Sequence, residues 1–369
     1  MAALMDWRDV TRTDRIIVQM VSPTNVDAVV GELEGVDLTG STITAGYYTD
    51  TRTSAKIRVV DGNWIRGTHL RIIHAVPEWN YAHELGTYLV TNDDAEQVNG
   101  AWVTTLTCQS LLFGLSTDKL VRPWAIAANA MMLTAAAQCV QRAGYKYDFG
   151  GAADARIKST KVIATGTDRL SALFALAKLA NDRLDVTAHG YVTLRKYVPP
   201  SQRVPIYRID LRDPRGVALD GLSRSSDYLE MPSVVGVCYR YNDTVGGKSV
   251  QREINASARL SANSPHSYAA RGYTITDFHE LSDMSPKTAA RAQQLAEQYL
   301  ANDSTELVEW ELSTIYLPIW QGDVVELVVY DGEKAYQGVR RCMVKSLEIR
   351  LSDLTMQLTL KETASGDDE

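Results

Sequence analysis

The first third of the chain alternates short apolar runs with clusters of turn residues. Between Arg15 and about Leu120, runs rich in Val, Ile, Thr and Tyr recur at regular spacing, a pattern typical of strands. Asp61-Gly62-Asn63 and Asn99-Gly100 mark turns where a positive φ costs little. This pattern predicts a β barrel or sandwich. The predicted strands are Arg15–Val21, Ser41–Tyr48, Ala55–Val60, His69–Val76, Thr87–Thr91 and Val103–Leu106.

A helical spacing of apolar residues begins after this region. Pro123 stands where a first helical residue would, and Gly144 stands where a C-cap would. The residues between them are apolar on most of the helical circumference, which predicts a helix buried on several sides.

A second helix and a hairpin follow. Asp168 is a good N-cap for a helix that we expect to run to Leu184, with Leu173 and Phe174 on its buried stripe. His189-Gly190 then marks the turn of a hairpin, which Pro199-Pro200 ends.

The β pattern returns from Ser201, with one further helix. Met231–Tyr241 and Ser249–Ile254 read as strands that flank a turn at Asp243–Gly247. Residues 286–300 carry a one-sided apolar stripe after the N-cap Ser285, which predicts a helix docked on a sheet.

The predicted fold class is therefore α+β and mostly β. Residues 1–120 form a first β-barrel domain, which residues 201–230 can complete, and residues 121–200 form an αβ insert. Residues 231–369 form a second β-barrel domain, on which helix 286–300 packs.

Composition narrows the function classes. The net charge is −7 and the acidic residues are spread along the chain, which argues against a sequence-specific nucleic-acid binder, since such proteins carry a basic patch. The chain has 18 Tyr and 7 Trp against 4 Phe. That bias fits half-buried surfaces between subunits, and it also fits ordinary strand usage.

The cysteines and the N-terminus indicate a soluble chain in a reducing compartment. Cys108, Cys139, Cys238 and Cys342 are far apart and have apolar neighbours, so we expect buried free thiols. Residues 1–10 lack the apolar segment of a signal peptide.

No motif indicates catalysis or a cofactor. His83-Glu84 opens like a zinc-hydrolase motif, but the second His would fall at Thr87. Gly246-Gly247-Lys248-Ser249 ends like a phosphate-binding loop, but Asn242 stands where the first Gly is needed. No Gly-x-Ser-x-Gly is present. The sequence therefore predicts no catalytic residues, no cofactor, no metal ligands and no histidine with a special role.

Three stretches resemble a known family in their order along the chain. The first is Leu85-Gly86-Thr87-Tyr88 with its strand, a polar loop and Trp102–Cys108; the second is the helix and hairpin of Asp168–Val198. The third comprises Pro232–Val237, Asn263–Ser267, Ala289–Leu300 and the turn Gly322–Val325.

From the first to the last, these stretches span roughly two thirds of the chain, and they resemble the hub proteins of phage tail tips and baseplates. The family often has an acidic residue near Gln109, so the likeness is incomplete there. The resemblance implies two tube-type barrels and a structural virion protein that forms a homotrimeric ring, which continues the tail tube, closes it and later passes DNA.

The resemblance also implies the partners and the location. The partners are the tail tube or distal tail protein, the tape measure protein, and central fibre or receptor-binding proteins, with transient passage of DNA and no specific nucleic-acid binding. The location is the virion tail tip, assembled in the host cytoplasm. Three alternatives stay open: the hub of a non-viral contractile injection system, a tail-associated cell-wall hydrolase, and a carbohydrate-binding β protein, which Trp64, Trp79 and Trp102 would support.

One pair of residues is a candidate for the channel wall. Glu309 and Glu311 share one face of a strand, while Trp310 and Leu312 share the other. If the apolar face packs inside the barrel, the carboxylates lie on its outward face. We expect both to face the lumen, because a negative wall repels phosphate.

Overall fold

The computed structural model describes residues 12–213, 216–219, 221–226, 231–245, 248–264, 266–281, 288–303, 308–330 and 337–363. The chain divides into two compact units. The first comprises the residues up to Leu222 together with Glu311–Leu360, and the second comprises Ser223–Trp310 together with the residues from Lys361 on. The fold is α+β and mostly β, which confirms the predicted class.

The strands are numbered in chain order. They are β1 (Arg15–Val21), β2 (Val29–Glu32), β3 (Val36–Gly46), β4 (Thr53–Val60), β5 (His69–Val76), β6 (Tyr81–Val98), β7 (Ala101–Ser110), β8 (Trp124–Ile126), β9 (Tyr147–Gly151), β10 (Lys161–Ile163), β11 (Asp182–Val186), β12 (Val192–Lys196), β13 (Tyr207–Asp210), β14 (Ser223–Ser226), β15 (Val234–Val245), β16 (Lys248–Arg259), β17 (Thr276–Leu281), β18 (Val308–Ile315), β19 (Val324–Val329), β20 (Gly338–Arg350) and β21 (Thr355–Glu362).

The α-helices are numbered in the same way. They are α1 (Leu111–Thr117), α2 (Met132–Arg142), α3 (Arg169–Ala180), α4 (Tyr268–Arg271) and α5 (Ala289–Asp303). No described helix is long and apolar enough to cross a membrane.

One large sheet organises the first unit. Its strands follow the order β18-β21-β20-β3-β4-β7-β6-β5-β1-β2, and β19 joins β20 while β13 joins β19. Ile349 of β20 lies opposite Ile43 of β3 in an antiparallel pair. Strands from the first predicted barrel and from the C-terminal region therefore lie in one continuous sheet.

Strict alternation of side chains builds the core of this sheet. In β4, Ala55, Ile57 and Val59 are buried while Lys56 is exposed. Successive side chains of a strand point to opposite faces, so one face of each strand packs inward and the other stays polar. The same alternation runs through β20 and β21.

The β6–β7 hairpin is longer than its pattern predicts. Residues 92–100 read as a polar loop, but β6 continues to Val98 and only Asn99-Gly100 form the turn, both with positive φ. Asp94 pairs with Thr105 across the hairpin. Most side chains of this segment are exposed on both faces, so no apolar alternation marks it as a strand.

The insert packs helices α1, α2 and α3 on small sheets. Its first predicted helix, 123–144, is wrong in its first half, because Trp124–Ile126 is extended and pairs with Lys161–Ile163. Asn129 has a φ of +68°, which a right-handed helix cannot continue through. Helix α2 therefore starts at Met132, and Gly144, with a φ of +84°, follows its end as predicted.

Helix α3 begins as predicted and ends early. The Asp168 carboxylate accepts the Ser171 backbone N–H at 2.7 Å, which confirms the N-cap. Asn181 then adopts the left-handed conformation and ends the helix. Leu184, expected to close the helical stripe, is buried in strand β11 instead.

The second unit contains a three-stranded sheet with α5 against it. Strand β15 pairs antiparallel with β16 and parallel with β17. Val235 and Val237 pack against Ala296 and Leu300 of α5, so this helix docks on a sheet as predicted. The predicted turn at Asp243–Gly247 is shorter, since Val245 already pairs with Lys248; residues 246, 247 and 282–287 lie outside the described part.

Candidate functional site

A polar network joins the main sheet to the insert. His189 lies in the turn between β11 and β12, and its Nδ1 is 2.8 Å from Oε1 and 3.0 Å from Oε2 of Glu84 on β6. Its Nε2 is 3.0 Å from Oδ1 of Asp27, in the β1–β2 loop. A carboxylate only accepts, so both contacts are hydrogen bonds when both ring nitrogens carry protons. The network thus ties three separate segments together.

A buried arginine lies at the centre of this network. Arg71 of β5 is 3% exposed. Its Nη2 donates to the carbonyls of Val26 at 2.6 Å and His189 at 3.0 Å, and its Nε donates to Thr87 Oγ1 at 3.3 Å. Glu84 Oε1 lies 3.6 Å from the same Nε. The desolvated charge is therefore compensated by hydrogen bonds and by a carboxylate, as a buried ion requires.

Asp27 accepts hydrogen bonds from side chains of the insert. Lys146 Nζ donates to its Oδ2, and the Tyr191 hydroxyl donates to its Oδ1 at 2.6 Å. The hydrogen bonds from Lys146, Tyr191 and His189 hold the pKa of Asp27 well below its ordinary range. The same bond to Asp27 raises the pKa of Tyr191. Asp27 is therefore the ionised anchor of the contact between the β1–β2 loop and the insert.

A cavity of about 700 Å³ opens beside the network within the first unit. Strand β6 contributes Glu84–Thr87, and the β11–β12 hairpin contributes a second wall. The segments 197–204 and 316–323 complete the lining. Its size lies within the ~300–1,000 Å³ range of ligand pockets in proteins.

A bulge and a glycine shape the cavity. Leu85 is a bulge, since Glu84 pairs with Ile73 while Gly86 pairs with Ile72. Gly322 has a φ of +85°, and a Cβ there would lie 2.6 Å from both the Arg183 guanidinium and the Tyr47 ring. The absent side chain lets the Arg183 guanidinium lie 3.9 Å from the Tyr47 ring centroid, a cation–π contact.

Buried and half-buried polar groups lie next to the cavity. Gln321 is 5% exposed, and neither its Oε1 nor its Nε2 has a hydrogen-bond partner among the described residues. Asp323 accepts the Trp320 backbone N–H at 2.6 Å, and burial raises the pKa of its carboxyl. Arg203 donates to the carbonyls of Gly322 and Val198.

The two residues predicted for the channel wall lie on β18. Val308, Trp310 and Leu312 are buried, while Glu309 is half-buried and Glu311 is exposed, so the predicted alternation of faces is confirmed. The Trp310 indole donates to Glu362 Oε1 at 2.9 Å. The position of this outward face in a lumen stays a prediction.

Sequence reasoning missed the network and the cavity. Asp27 and His189 are 162 residues apart. Asp27 lies in no motif, and the sequence marked His189 only as part of a hairpin turn. A second unpredicted histidine is His74, which is fully buried with its Nε2 2.7 Å from Asp14 Oδ1; burial lowers its pKa. Within the described residues, no group of three His, Cys, Asp or Glu could hold a metal ion. All four cysteines are buried and form no disulfide, as predicted.

Comparison with known proteins gives a fold likeness. No family model and no curated protein matches the sequence. A solved structure of the tail protein from Neisseria meningitidis MC58 has a TM-score of 0.66 at 12% identity, covering 95% of this chain and 96% of that one. The 43 kDa tail protein of prophage MuSo2 from Shewanella oneidensis has a TM-score of 0.61 at 11% identity, covering 94% and 98%.

A third similar structure comes from the Francisella PdpA-VgrG complex, with a TM-score of 0.54 at 8% identity. The match covers 98% of this chain and 59% of that one. The chain therefore has the fold of phage tail proteins along almost its full length, which confirms the resemblance found in the sequence at the level of fold.

Proposed function

We propose that this chain is the hub of a phage tail tip or baseplate, a structural virion protein that assembles as a homotrimeric ring. The ring continues the tail tube, closes it before infection and passes DNA afterwards. Its partners are the tail tube or distal tail protein, the tape measure protein and central fibre or receptor-binding proteins. The fold likeness to a tail protein over 95% of this chain and 96% of that one carries the proposal.

An open sheet edge supports assembly into a ring. Strand β2 is the last strand of the main sheet, and no other described strand pairs with its outer edge. Val29 and Val30 on it are 50% and 51% exposed. An edge strand with exposed apolar side chains offers backbone and side-chain groups to another chain. In the ring, this edge contacts the neighbouring copy.

The outward side of the main sheet supports a channel wall. We call the outward residues of β3, β4, β7, β20 and β21 the hydroxyl face. The pairing register aligns them in rows across the sheet. One row is Gln109, Ser54, Thr44 and Glu348, and the next is Thr107, Lys56, Thr42 and Arg350.

The chemistry of the hydroxyl face suits a polyanion in transit. The Thr44 and Ser54 hydroxyls are hydrogen-bonded at 2.6 Å, and Arg58 lies 3.5 Å from Asp37. Among the exposed large apolar side chains of the described part, Trp102 of β7 and Val339 of β20 lie on these strands, and the others lie elsewhere. Strong binding of DNA needs clustered unpaired cations, so a face of hydroxyls and mixed charges lets DNA slide past. We infer that this face lines the channel, together with Glu309 and Glu311.

Light scattering and negative-stain microscopy test the trimer. The purified chain, alone or with its tube partner, should have three times the mass of one copy and appear as a three-fold ring. Replacing Val29 and Val30 together by Lys should give monomers, because the charges block edge pairing. Val121→Lys is the matched control, since Val121 is 88% exposed and lies outside the strands. A stable dimer, or a monomer in the presence of the tube partner, contradicts the proposal.

A hub of a non-viral contractile injection system is the second candidate. The likeness to the PdpA-VgrG complex favours it, with a TM-score of 0.54. Purified particles that contain the chain distinguish the two candidates: gold-labelled antibodies should mark the tail tip of particles that package DNA if the first is correct. Label on DNA-free particles supports the second.

We also propose that the chain acts without catalysis. Incubation with labelled cell wall should release no label above buffer, with lysozyme as the positive control. Release of label that follows the protein through purification would instead support a tail-associated hydrolase.

A further inference from the structure

Positive charge is concentrated beside the cavity, although the chain has a net charge of −7. Four arginines contribute to it, and we call them the arginine cluster: Arg52, Arg183, Arg195 and Arg203. Arg183 and Arg195 lie opposite one another in the β11–β12 pair, where like charges destabilise a sheet. Arg203 donates to the carbonyl of Gly322, and Arg183 Nη1 lies 2.6 Å from the position that a Cβ of Gly322 would take. Burial and then the positive charge of Arg183 lower the pKa of Arg52.

The three carboxylates that line the cavity do not balance this charge. Asp185 Oδ2 is 3.1 Å from Arg183 Nη2, and Glu84 Oε1 is 3.6 Å from Arg71 Nε, so both already face a cation. The third, Asp323, accepts a backbone N–H, and burial raises the pKa of its carboxyl. The carboxylates therefore leave little negative charge for the other cations of the lining.

Three cations of the lining form no ion pair within the described residues: Arg195, Lys196 and Arg203. Arg195 and Lys196 are exposed, and Arg203 is half-buried. His83 also lines the cavity, but burial lowers its pKa, so it adds no charge at neutral pH. The unpaired cations make the cavity a site for an anion.

A phosphate group suits these three cations better than a carboxylate does. A phosphate monoester carries close to two negative charges at neutral pH, and its three terminal oxygens accept hydrogen bonds from several directions. The guanidinium fork of Arg matches a pair of phosphate oxygens. A carboxylate has one charge and two oxygens in one plane, so it would leave more of the positive charge without a partner.

The size of the cavity requires more than a phosphate group. The cavity measures about 700 Å³, whereas one water molecule takes ~30 Å³ of liquid volume. Val186, Val198 and Ile319 line it together with the half-buried rings of Tyr197 and Trp320. Apolar and aromatic walls of this kind bury the organic part of a ligand.

We propose that this cavity binds a small organic phosphate, such as a nucleotide or a sugar phosphate. Arg195 and Arg203 bind the phosphate group through hydrogen bonds, and Lys196 adds charge. Tyr197 and Trp320 pack against the organic part. The proposal does not depend on the chain being a tail hub, because it follows from the lining of a cavity within the first unit.

Isothermal titration calorimetry on the full-length protein tests the proposal. The probes are inorganic phosphate, adenosine monophosphate, glucose phosphate and, as a carboxylate of high charge, citrate. We expect adenosine monophosphate or glucose phosphate to bind more tightly than inorganic phosphate, because its organic part adds contacts, and citrate to bind more weakly. The tighter of the two organic phosphates identifies the source of the phosphate. Added NaCl should raise its Kd, because salt screens charge interactions.

Variants of the lining test the roles of the cations. Arg195→Ala should raise the Kd of the tighter organic phosphate about tenfold or more, and Arg195→Lys should raise it less, because Lys keeps the charge without the fork. Arg203→Ala should also raise it; if this variant does not fold, as judged by circular dichroism, Arg203→Lys replaces it. Lys178→Ala, an exposed cation on α3 that does not line the cavity, is the matched control and should leave the Kd unchanged.

A second readout needs no ligand. In phosphate-free buffer at low ionic strength, Arg195→Gln should melt no lower than wild type, because it removes a charge that lies opposite Arg183. The tighter organic phosphate at saturation should then raise the melting temperature of wild type more than that of Arg195→Gln.

Four binding results overturn the proposal. No probe binds, citrate binds as tightly as the organic phosphates, inorganic phosphate binds more tightly than both of them, or Arg195→Ala binds as wild type does. A lower melting temperature for ligand-free Arg195→Gln would also overturn it, because the guanidinium would then serve an internal contact. Loss of trimers in the Val29 and Val30 variant leaves these measurements intact, so failure of the hub proposal is distinguishable.

Discussion

Replacing Arg71 by Met should strongly destabilise the first unit. Arg71 is 3% exposed and holds the β1–β2 loop, strand β6 and the insert hairpin through donated hydrogen bonds. Met fills most of the same volume, so the loss is mainly one of charge and hydrogen bonds. The substitution leaves Glu84 and two carbonyls without their cation.

The magnitude follows from the burial of these groups. Removing one partner of a buried, hydrogen-bonded ion network costs ~3–5 kcal/mol of the free energy of unfolding. Arg66 is the matched control, since its side chain is 82% exposed and lies 2.7 Å from Asp93. Arg66→Met should cost at most ~1 kcal/mol, as expected for a surface ion pair.

Urea unfolding followed by circular dichroism gives both values. We expect the midpoint of Arg71→Met to fall far below that of wild type and that of Arg66→Met to stay close to it. Arg71→Lys should lie between them, because Lys keeps the charge and cannot form the forked contacts of Arg. Equal midpoints for Arg71→Met and Arg66→Met would refute the assignment of Arg71 as the anchor of this joint.

Three further predictions follow from single sites. Leu173→Ala should lower the free energy of unfolding by ~2–5 kcal/mol, because Leu173 is fully buried in the insert. Phe174→Ala should lower it less, since Phe174 is half-buried. Unchanged melting curves for both variants would contradict this. Folding lowers the pKa of Asp27, so the ionised carboxylate stabilises the fold at neutral pH, and this stabilisation is lost as the pH falls below about 4. Asp27→Asn should therefore be less stable than wild type at pH 7 and should lose less stability when urea unfolding is repeated in acid. The same loss of stability with pH in both proteins would contradict this. Replacing Glu309 and Glu311 by Lys should slow DNA ejection at low salt. The effect should be smaller at high salt, where screening shortens the range of charge interactions to under ~10 Å. Wild-type ejection kinetics at low salt would exclude both residues from the channel wall.

Local patterns were enough for several elements. Strands β1 and β5 have the bounds that the apolar runs predict, Arg15–Val21 and His69–Val76. Asp168 caps α3 as expected. These features depend on neighbours within a few residues, since strand alternation and capping are local effects. The order of three weak motifs was also enough to indicate the fold that the solved tail proteins share.

Other elements depended on distant partners. Trp124–Ile126 has a helical spacing but forms a strand, because Lys161–Ile163 lies beside it. Ile43 and Ile349 lie opposite one another in one sheet, although a separate barrel was expected for each. A short apolar segment is compatible with helix or strand, and its tertiary partner decides between them.

The sequence alone did not predict the candidate site. Asp27, Glu84 and His189 come from three segments, and the first and last are 162 residues apart. Nothing in the sequence around Gln321 indicates that the fold buries this polar side chain next to a cavity. Hydrogen bonds and ion pairs reach only a few ångströms. The sequence therefore determined several strands and the Asp168 cap, whereas only the tertiary structure decided which charged and polar groups lie close enough to interact.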